Sequence, residues 1–252
     1  MKKLTLLSLF VAIFFCNQDY DYFGGWPVNP SKNNIDNPDI VPNCVYSNEK
    51  SLMSVGCECA SDRSCESGKC YKGPGGPFCL PAPGTIFPRF KLIDQFGEDV
   101  DLYDFSGHGK LIAIEISAAW CSPCKQLSNW IANGNDEVTR HKQWKPEYNK
   151  VKLLVDNGDI FFINVQVSDP YKEAPSLGSI EAWYQEYEDE NVPILADING
   201  DFRNWVKNSA FPTIILLNDK MEIVEFSQRG WQSAFGYLSK LKLNEEGHLD
   251  NE

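Results

Sequence analysis

Trp120-Cys121-Ser122-Pro123-Cys124-Lys125 is the stretch that decides the fold. It follows the apolar run Leu111-Ile-Ala-Ile-Glu-Ile-Ser117, which is typical of a buried, parallel strand. Pro123 suits the first turn of a helix, where its missing N–H is not needed. The sequence therefore predicts a strand that ends just before the two cysteines and a helix that begins between them.

This placement favours thiol–disulfide exchange by the cysteine pair. Cys121 would lie at a helix N-terminus, where unpaired N–H groups and the helix dipole favour the thiolate, the species that attacks a disulfide. Cys124, one turn later, could reach back to the first sulfur, so that the pair could either reduce or insert a disulfide. The alternatives are a structural disulfide and half of a zinc site. Zinc would need further ligands, and His108, His141 and His248 show no pairing pattern.

The other cysteines fall into a group of six and a single residue. The six lie close together: Cys44, Cys57, Cys59, Cys65, Cys70 and Cys79. Their segment has few large apolar residues, so cross-links would have to supply its stability. We expect three disulfides, although sequence does not choose among the fifteen possible pairings. Zinc is the alternative, but no histidine lies between residues 44 and 82.

The N-terminus has the pattern of an export signal. Two lysines precede the apolar run from Leu4 to Phe15, which is too short to span a bilayer. Cys16 follows directly, where bacterial lipoproteins carry a lipidated cysteine, although Phe14 and Phe15 stand where that pattern has a small residue just before the cysteine. We expect residues 1–16 to be a signal peptide or lipoprotein signal, with Cys16 lipidated; a cysteine there by chance is the alternative. The chain would then work in the periplasm or cell envelope, where disulfides persist.

Composition divides the rest of the chain. Residues 17–43 are rich in Asn, Asp, Pro and Gly and predict a flexible linker, followed by the cysteine-rich module over 44–82. Residues 83–243 alternate strand and helix patterns, which indicates an α/β domain, and residues 244–252 predict a loose acidic tail. The net charge of −12 argues against a nucleic-acid partner, because phosphates need a basic surface.

Within the α/β domain the patterns predict further elements. They are a hairpin around Gly97, strands over Ile160–Val167, Thr213–Leu217 and Glu222–Phe226, and helices over Glu147–Val155, from Ser179 through Tyr187 and over Gln232–Leu241.

Three separated stretches carry a resemblance to the thioredoxin superfamily. They are Gly84 to Gly107, Glu115 to Lys125, and Ala210-Phe211-Pro212-Thr213. Together they resemble the TlpA/ResA-like branch of exported redoxins over residues 83–241, about three-fifths of the chain. The resemblance implies a thioredoxin-like fold, a central mixed β-sheet flanked by helices, preceded here by the small disulfide-rich module.

The resemblance also implies roles for single residues. Pro212 should be cis and pack against the two sulfurs, and the backbone of Phe211 should pair with the substrate. Trp120 and Thr213 should line the substrate site. Glu115 should be buried and exchange a proton with Cys124, with its pKa raised by burial.

The resemblance implies a thiol–disulfide oxidoreductase of the bacterial cell envelope that needs no cofactor. It would exchange disulfides with protein substrates as a reductase, supplied with electrons by a membrane thiol donor. One alternative is a thiol peroxidase, but Ala118 stands where peroxiredoxins have Thr or Ser three residues before the reactive cysteine. Another is a surface binding protein whose cysteine-rich module recognises a partner.

The sequence departs from the branch in its Ser-Pro dipeptide, in a longer segment between Cys124 and Ile160, and in the bulky Phe211.

Overall fold

A computed structural model of the chain describes residues 22–40, 44, 52–73 and 76–249. The predicted signal over residues 1–16, with Cys16, lies outside them. The helices are α1 (Ser122–Asn133), α2 (Asn149–Asp156), α3 (Leu177–Glu186), α4 (Asp201–Val206) and α5 (Gln232–Leu238). The strands are β1 (Cys70–Gly73), β2 (Gly76–Cys79), β3 (Lys91–Asp94), β4 (Asp99–Asp101), β5 (Ile112–Ser117), β6 (Phe161–Gln166), β7 (Ile194–Ala196), β8 (Thr213–Leu217) and β9 (Ile223–Phe226). Among the helices described, none has the length and apolar character needed to cross a membrane.

Seven strands form one mixed sheet in the order β4-β3-β7-β6-β5-β8-β9. β5 runs parallel to β6 and antiparallel to β8, so it is an inner strand of the sheet, paired on both sides. All six of its residues are buried, as its continuous apolar pattern predicts.

Alternate residues of β5 point to opposite sides of the sheet. Ala113 packs in a core with side chains from α1, α2, α3 and α5. Ile112, Ile114 and Ile116 pack in a second core with β3, β4 and α4. Helices therefore cover the face toward which Ala113 points, and Glu115, two residues on, points to the same face.

Two short elements were not predicted from the sequence, and one helix begins earlier than predicted. β7 and α4 have only three and six residues, too few for a clear periodic pattern. α3 begins after Ser176, whose side chain accepts a hydrogen bond from the backbone N–H of Ser179. Ser179 is thus the third helical residue of a capping box and not the N-cap. α5 ends at Leu238, three residues earlier than predicted.

The six cysteines of the module form three disulfides, as predicted. The pairs are Cys44–Cys57, Cys59–Cys70 and Cys65–Cys79. The hairpin β1–β2 aligns Cys70 with Cys79, so two of the three cross-links end on it. The sulfurs of Cys59, Cys65 and Cys70 lie within 4.8 Å of one another, but because each is in a disulfide, none offers the thiolate that zinc requires.

The prediction of a flexible linker over 17–43 is wrong for residues 22–40, which pack on the α/β domain and are named here the N-terminal strap. The indole N–H of Trp26 donates to Asp94 Oδ2 (2.8 Å), and the hydroxyl of Tyr22 donates to Asp104 Oδ2 (2.7 Å). The backbone N–H of Asn29 donates to the other Asp104 oxygen (3.0 Å). Both carboxylates are fully buried. Aromatic and polar side chains therefore hold a segment whose overall composition is typical of a linker.

The prediction of a loose acidic tail is wrong for residues 244–249. Leu243 and Leu249 form an isolated antiparallel bridge and pack against the core on the α1 side. His248 Nδ1 lies 3.2 Å from Asp159 Oδ1. Two leucines, together with polar contacts to Asn157 and Asp159, therefore hold this end of the chain against the domain.

Candidate redox site

Cys121 and Cys124 occupy the start of α1, as predicted. Cys121 is the N-cap, and its Sγ accepts a hydrogen bond from the backbone N–H of Cys124 (3.3 Å). Pro123 lies in the first turn of the helix. The two sulfurs are joined in a disulfide, with Cys124 fully buried and Cys121 only 4% exposed. The sulfur of Cys121 therefore receives the free N–H group that a helix start provides, and this favours a thiolate when the pair is reduced.

An open groove of about 490 Å³ lies beside Cys121. It is lined by residues 120–123, Arg203 and residues 208–211. The rings of Trp120 and Phe211 meet edge to face, with centroids 5.5 Å apart. The indole N–H of Trp120 donates to Ser168 Oγ (3.1 Å), which fixes the ring at the edge of the groove. The structure thus brings the predicted substrate-binding residues Trp120 and Phe211 together with Cys121.

The loop before β8 holds Phe211 at the groove. The Phe211–Pro212 peptide bond is cis, as predicted, and Pro212 is buried. The carbonyl oxygen of Pro212 accepts a hydrogen bond from the backbone N–H of Gly230 (2.8 Å).

Thr213 does not line the groove, contrary to the prediction that it binds substrate. Its side chain is fully buried, and its hydroxyl lies 2.8 Å from the carbonyl oxygen of Ala210 and 3.0 Å from that of Gln228. As the first residue of a central strand, Thr213 turns its side chain into the protein. Its hydroxyl links the ends of the Phe211–Pro212 loop, while Phe211 itself lines the groove.

Glu115 is fully buried in the centre of β5, as predicted. Burial raises the pKa of its carboxyl group from 4.5 to about 8, against the opposing effect of a hydrogen bond from Asn164. Asn164 Nδ2 donates this bond to Glu115 Oε2 (2.9 Å). Among the described residues, Oε1 has no hydrogen-bond partner. A narrow crevice joins Glu115 to Ser128 of α1, one turn beyond Cys124.

Sequence reasoning missed the polar residues that surround this carboxyl. Gln166 Nε2 donates to Asn164 Oδ1 (2.7 Å), so Glu115, Asn164 and Gln166 form a buried chain of hydrogen bonds. The signal was present in Phe161-Phe-Ile-Asn-Val-Gln166, where two amides occupy alternate positions of a buried strand. Alternate residues share one face, and unpaired polar groups are costly to bury, so these amides needed a polar partner on that face.

Comparison with known proteins gives structural likeness only. No protein-family model and no curated protein matches the chain. The thioredoxin domain of a thiol-disulfide oxidoreductase from Bacteroides vulgatus is 22% identical, covers 64% of this chain and 97% of its own, and has a TM-score of 0.44. The exposed lipoprotein thioredoxin from Streptococcus pneumoniae is 20% identical over 61% of this chain and 99% of its own, with a TM-score of 0.41. A thiol peroxidase from Chromobacterium violaceum is 16% identical over 58% of this chain and 75% of its own, with a TM-score of 0.38. At these identities and TM-scores, none of these activities transfers to this chain.

The fold follows from the chain's own topology. A central strand, β5, leads into a helix that starts at a Cys-x-x-Cys pair. A cis-proline directly precedes β8, which pairs antiparallel with both β5 and β9. The chain therefore has a thioredoxin-like fold, extended by the N-terminal strap and a disulfide-rich module.

Proposed function

We propose that this chain is a thiol–disulfide oxidoreductase that exchanges disulfides with protein substrates through Cys121 and Cys124. The observation that carries the proposal is the position of the pair, at a helix start, beside an open groove. A buried carboxyl of raised pKa, Glu115, lies on the sheet face that α1 covers. These are the parts that disulfide exchange requires: a stabilised thiolate, a resolving thiol and a proton acceptor.

The reduction of a substrate proceeds in two exchanges. The thiolate of Cys121 attacks one sulfur of the substrate disulfide, whose S–S bond breaks and whose other sulfur leaves as a thiolate that takes up a proton. Cys124 then loses its proton to Glu115 and attacks the Cys121 sulfur of the mixed disulfide. The second substrate thiol leaves and takes up a proton, so that two electrons have passed from the cysteine pair to the substrate.

The groove provides the place for the substrate segment. The backbone of Phe211 pairs with it in a strand-like manner, while Trp120 covers the side of the groove next to Cys121. An open groove fits a polypeptide segment better than it fits a small molecule, which enclosed pockets bury more completely.

The proposed direction is reduction, in the cell envelope. The three disulfides of the module are stable in an oxidising compartment, and residues 1–16 have the pattern of an export signal. In such a compartment the pair must be reduced again after each turnover. A membrane thiol donor supplies these electrons, and a lipid on Cys16 keeps the enzyme close to it.

Reduction of insulin tests the proposal. With dithiothreitol as electron donor, the protein should catalyse reduction, and Cys121→Ser should abolish it. Reduced Cys124→Ser, freed of dithiothreitol before insulin is added, should accumulate a mixed disulfide that non-reducing electrophoresis detects. Absence of turnover in both directions, with the two cysteines intact, would overturn the proposal. Consumption of hydrogen peroxide that depends on Cys121 alone would instead indicate a thiol peroxidase. Alkylation of Cys121 and Cys124 in intact cells tests the direction, because free thiols indicate a reductase and a disulfide indicates an oxidase.

A further inference from the structure

The charge of the groove is opposite to that of the chain. The sequence has 35 acidic and 23 basic residues, yet among the described residues that line the groove Arg203 is the only charged one. None of these described lining residues carries a carboxylate. A segment that docks beside Cys121 therefore meets a single, positive charge.

Arg203 is held in place through its backbone, while its side chain is exposed. Its backbone N–H donates to Asp197 Oδ2 (2.9 Å), and its carbonyl oxygen accepts from the N–H of Lys207 (3.0 Å). Within the described part of the chain, the guanidinium group makes no ion pair or hydrogen bond. A planar, fully charged donor with no partner of its own is available to bind a carboxylate with two parallel hydrogen bonds.

A second cation, Lys172, lies over the ring of Trp120, but it is less free. Lys172 Nζ lies 5.3 Å from the centre of the Trp120 ring. Asp169 and Glu173, in the same short loop, partly offset its charge; the Asp169 carboxylate accepts hydrogen bonds from the backbone of Tyr171 and Glu173. Arg203 is therefore the cation free to bind a carboxylate at the groove, and Lys172 adds to the positive potential.

We propose that Arg203 determines substrate specificity by binding an Asp or Glu side chain that flanks the substrate cysteine. This rests on the proposed function and names its substrate class as disulfides in acidic sequence surroundings. Because the whole chain carries a net charge of −12, it repels acidic proteins at long range. A local guanidinium group at the groove offsets that repulsion where the sulfurs must meet and favours one orientation of the segment.

A pair of disulfide peptides tests the inference. The two peptides differ only in having Glu or Gln on both sides of the reactive cysteine, and the readout is the ratio of their kcat/KM values. We expect the native protein to prefer the Glu peptide about three- to tenfold, the range for a charge-assisted pair at a partly exposed site. The preference should fall as NaCl is raised from about 0.05 M to about 0.5 M. Arg203→Gln should bring the ratio close to one, and Arg203→Glu should reverse it.

Arg63→Gln is the matched control. Arg63 is also exposed, lies in the cysteine-rich module and does not line the groove, so its substitution makes the same change in net charge. The control should keep the native ratio. A native ratio near one, or an equal loss on both peptides in Arg203→Gln, would overturn the inference while leaving the proposed oxidoreductase in place. If neither peptide nor insulin is turned over, the proposed function itself fails.

Discussion

Asn164 Nδ2 donates a hydrogen bond to Glu115 Oε2 (2.9 Å) across two parallel strands in the middle of the sheet. The bond stabilises the ionised carboxylate, while complete burial stabilises the protonated acid. Burial is the stronger effect, and the resulting pKa of about 8 lies where a group can both accept and return a proton near neutral pH. In the proposed mechanism, this pKa suits Glu115 to accept the proton that Cys124 loses.

The first prediction concerns the kinetics of Glu115→Gln. The ionised carboxylate accepts the proton, so resolution of the mixed disulfide should become faster as the pH rises through about 8. Glu115→Gln should slow this step about 100-fold at pH 8 and remove the inflection, because an amide cannot accept the proton. Rapid-quench measurement of thiol release checks both effects. An unchanged rate and pH profile would show that Glu115 takes no part in proton transfer.

The second prediction concerns Asn164→Leu. Loss of the hydrogen bond removes an interaction that lowers the pKa of Glu115, so the inflection of the resolving step should move to higher pH. Leucine keeps the branched shape of asparagine but is larger, so a circular dichroism spectrum must first show that the fold persists in the buried site. If the inflection stayed at the native pH, Asn164 would have a structural role only and no effect on the pKa of Glu115.

The third prediction concerns stability against pH. The folded-state pKa of Glu115 is about 8, above its usual value of 4.5. The stabilisation of the folded state that follows from this difference is therefore complete below about pH 4.5 and is lost as the pH rises to 8. Between these values unfolding releases a proton, and the free energy of unfolding falls. Glu115→Gln should remove this slope and make the protein more stable than the native one at pH 8. Urea unfolding at pH 5 and pH 8 measures the free energy of unfolding of both proteins. An equal change between the two pH values in the native protein and in Glu115→Gln would contradict the prediction.

Long periodic elements and the active-site motif were predictable from sequence, because their signals are local. The strand over Thr213–Leu217 agrees with the structure, and the helix predicted from Pro123 begins one residue earlier, at Ser122. The cis bond before Pro212 and the burial of Glu115 followed from a family resemblance and not from periodicity. They depend on which parts of the chain meet, which no window of sequence reveals.

The remaining features depend on contacts between distant residues. The pairing of the six cysteines depends on the hairpin that aligns Cys70 with Cys79. Without knowledge of that hairpin, fifteen pairings are possible. The N-terminal strap was mistaken for a linker because its composition is polar, while its few aromatic residues find buried carboxylates 68 to 82 positions away. Arg203 gave no signal at all, since a lone arginine on a short helix is ordinary until the groove beside it is known.

The fourth prediction tests the N-terminal strap. Trp26→Phe keeps a buried ring but leaves Asp94 Oδ2 without the indole donor, which should lower the free energy of unfolding by about 1–3 kcal/mol. A flexible linker would predict no change. Tyr171→Phe is the control, because Tyr171 is 84% exposed and its hydroxyl makes no hydrogen bond within the described residues. Urea unfolding of the two variants decides between a packed segment and a tether.

The fifth prediction concerns the contact between the cysteine-rich module and the groove. Lys207, at the C-terminal end of α4, donates from Nζ to the carbonyl oxygen of Gly56 (2.7 Å) and lies 5.1 Å from the centre of the Phe78 ring. The residues that follow it line the groove up to Phe211. The module therefore contacts the segment that leads into one wall of the groove. Lys207→Met keeps the length of the side chain but removes both contacts.

Lys207→Met should raise KM for insulin severalfold with little change in kcat, because the groove wall loosens while Cys121, Cys124 and Glu115 keep their geometry. It should also lower the free energy of unfolding by about 1 kcal/mol, as expected for loss of a partly exposed hydrogen bond. Lys220→Met is the control, since Lys220 is exposed in the turn between β8 and β9 and contacts no part of the module in the described residues. A native KM in Lys207→Met would show that the module is attached beside the groove without shaping it. A fall in kcat alone would instead place the effect of Lys207 on the cysteine pair.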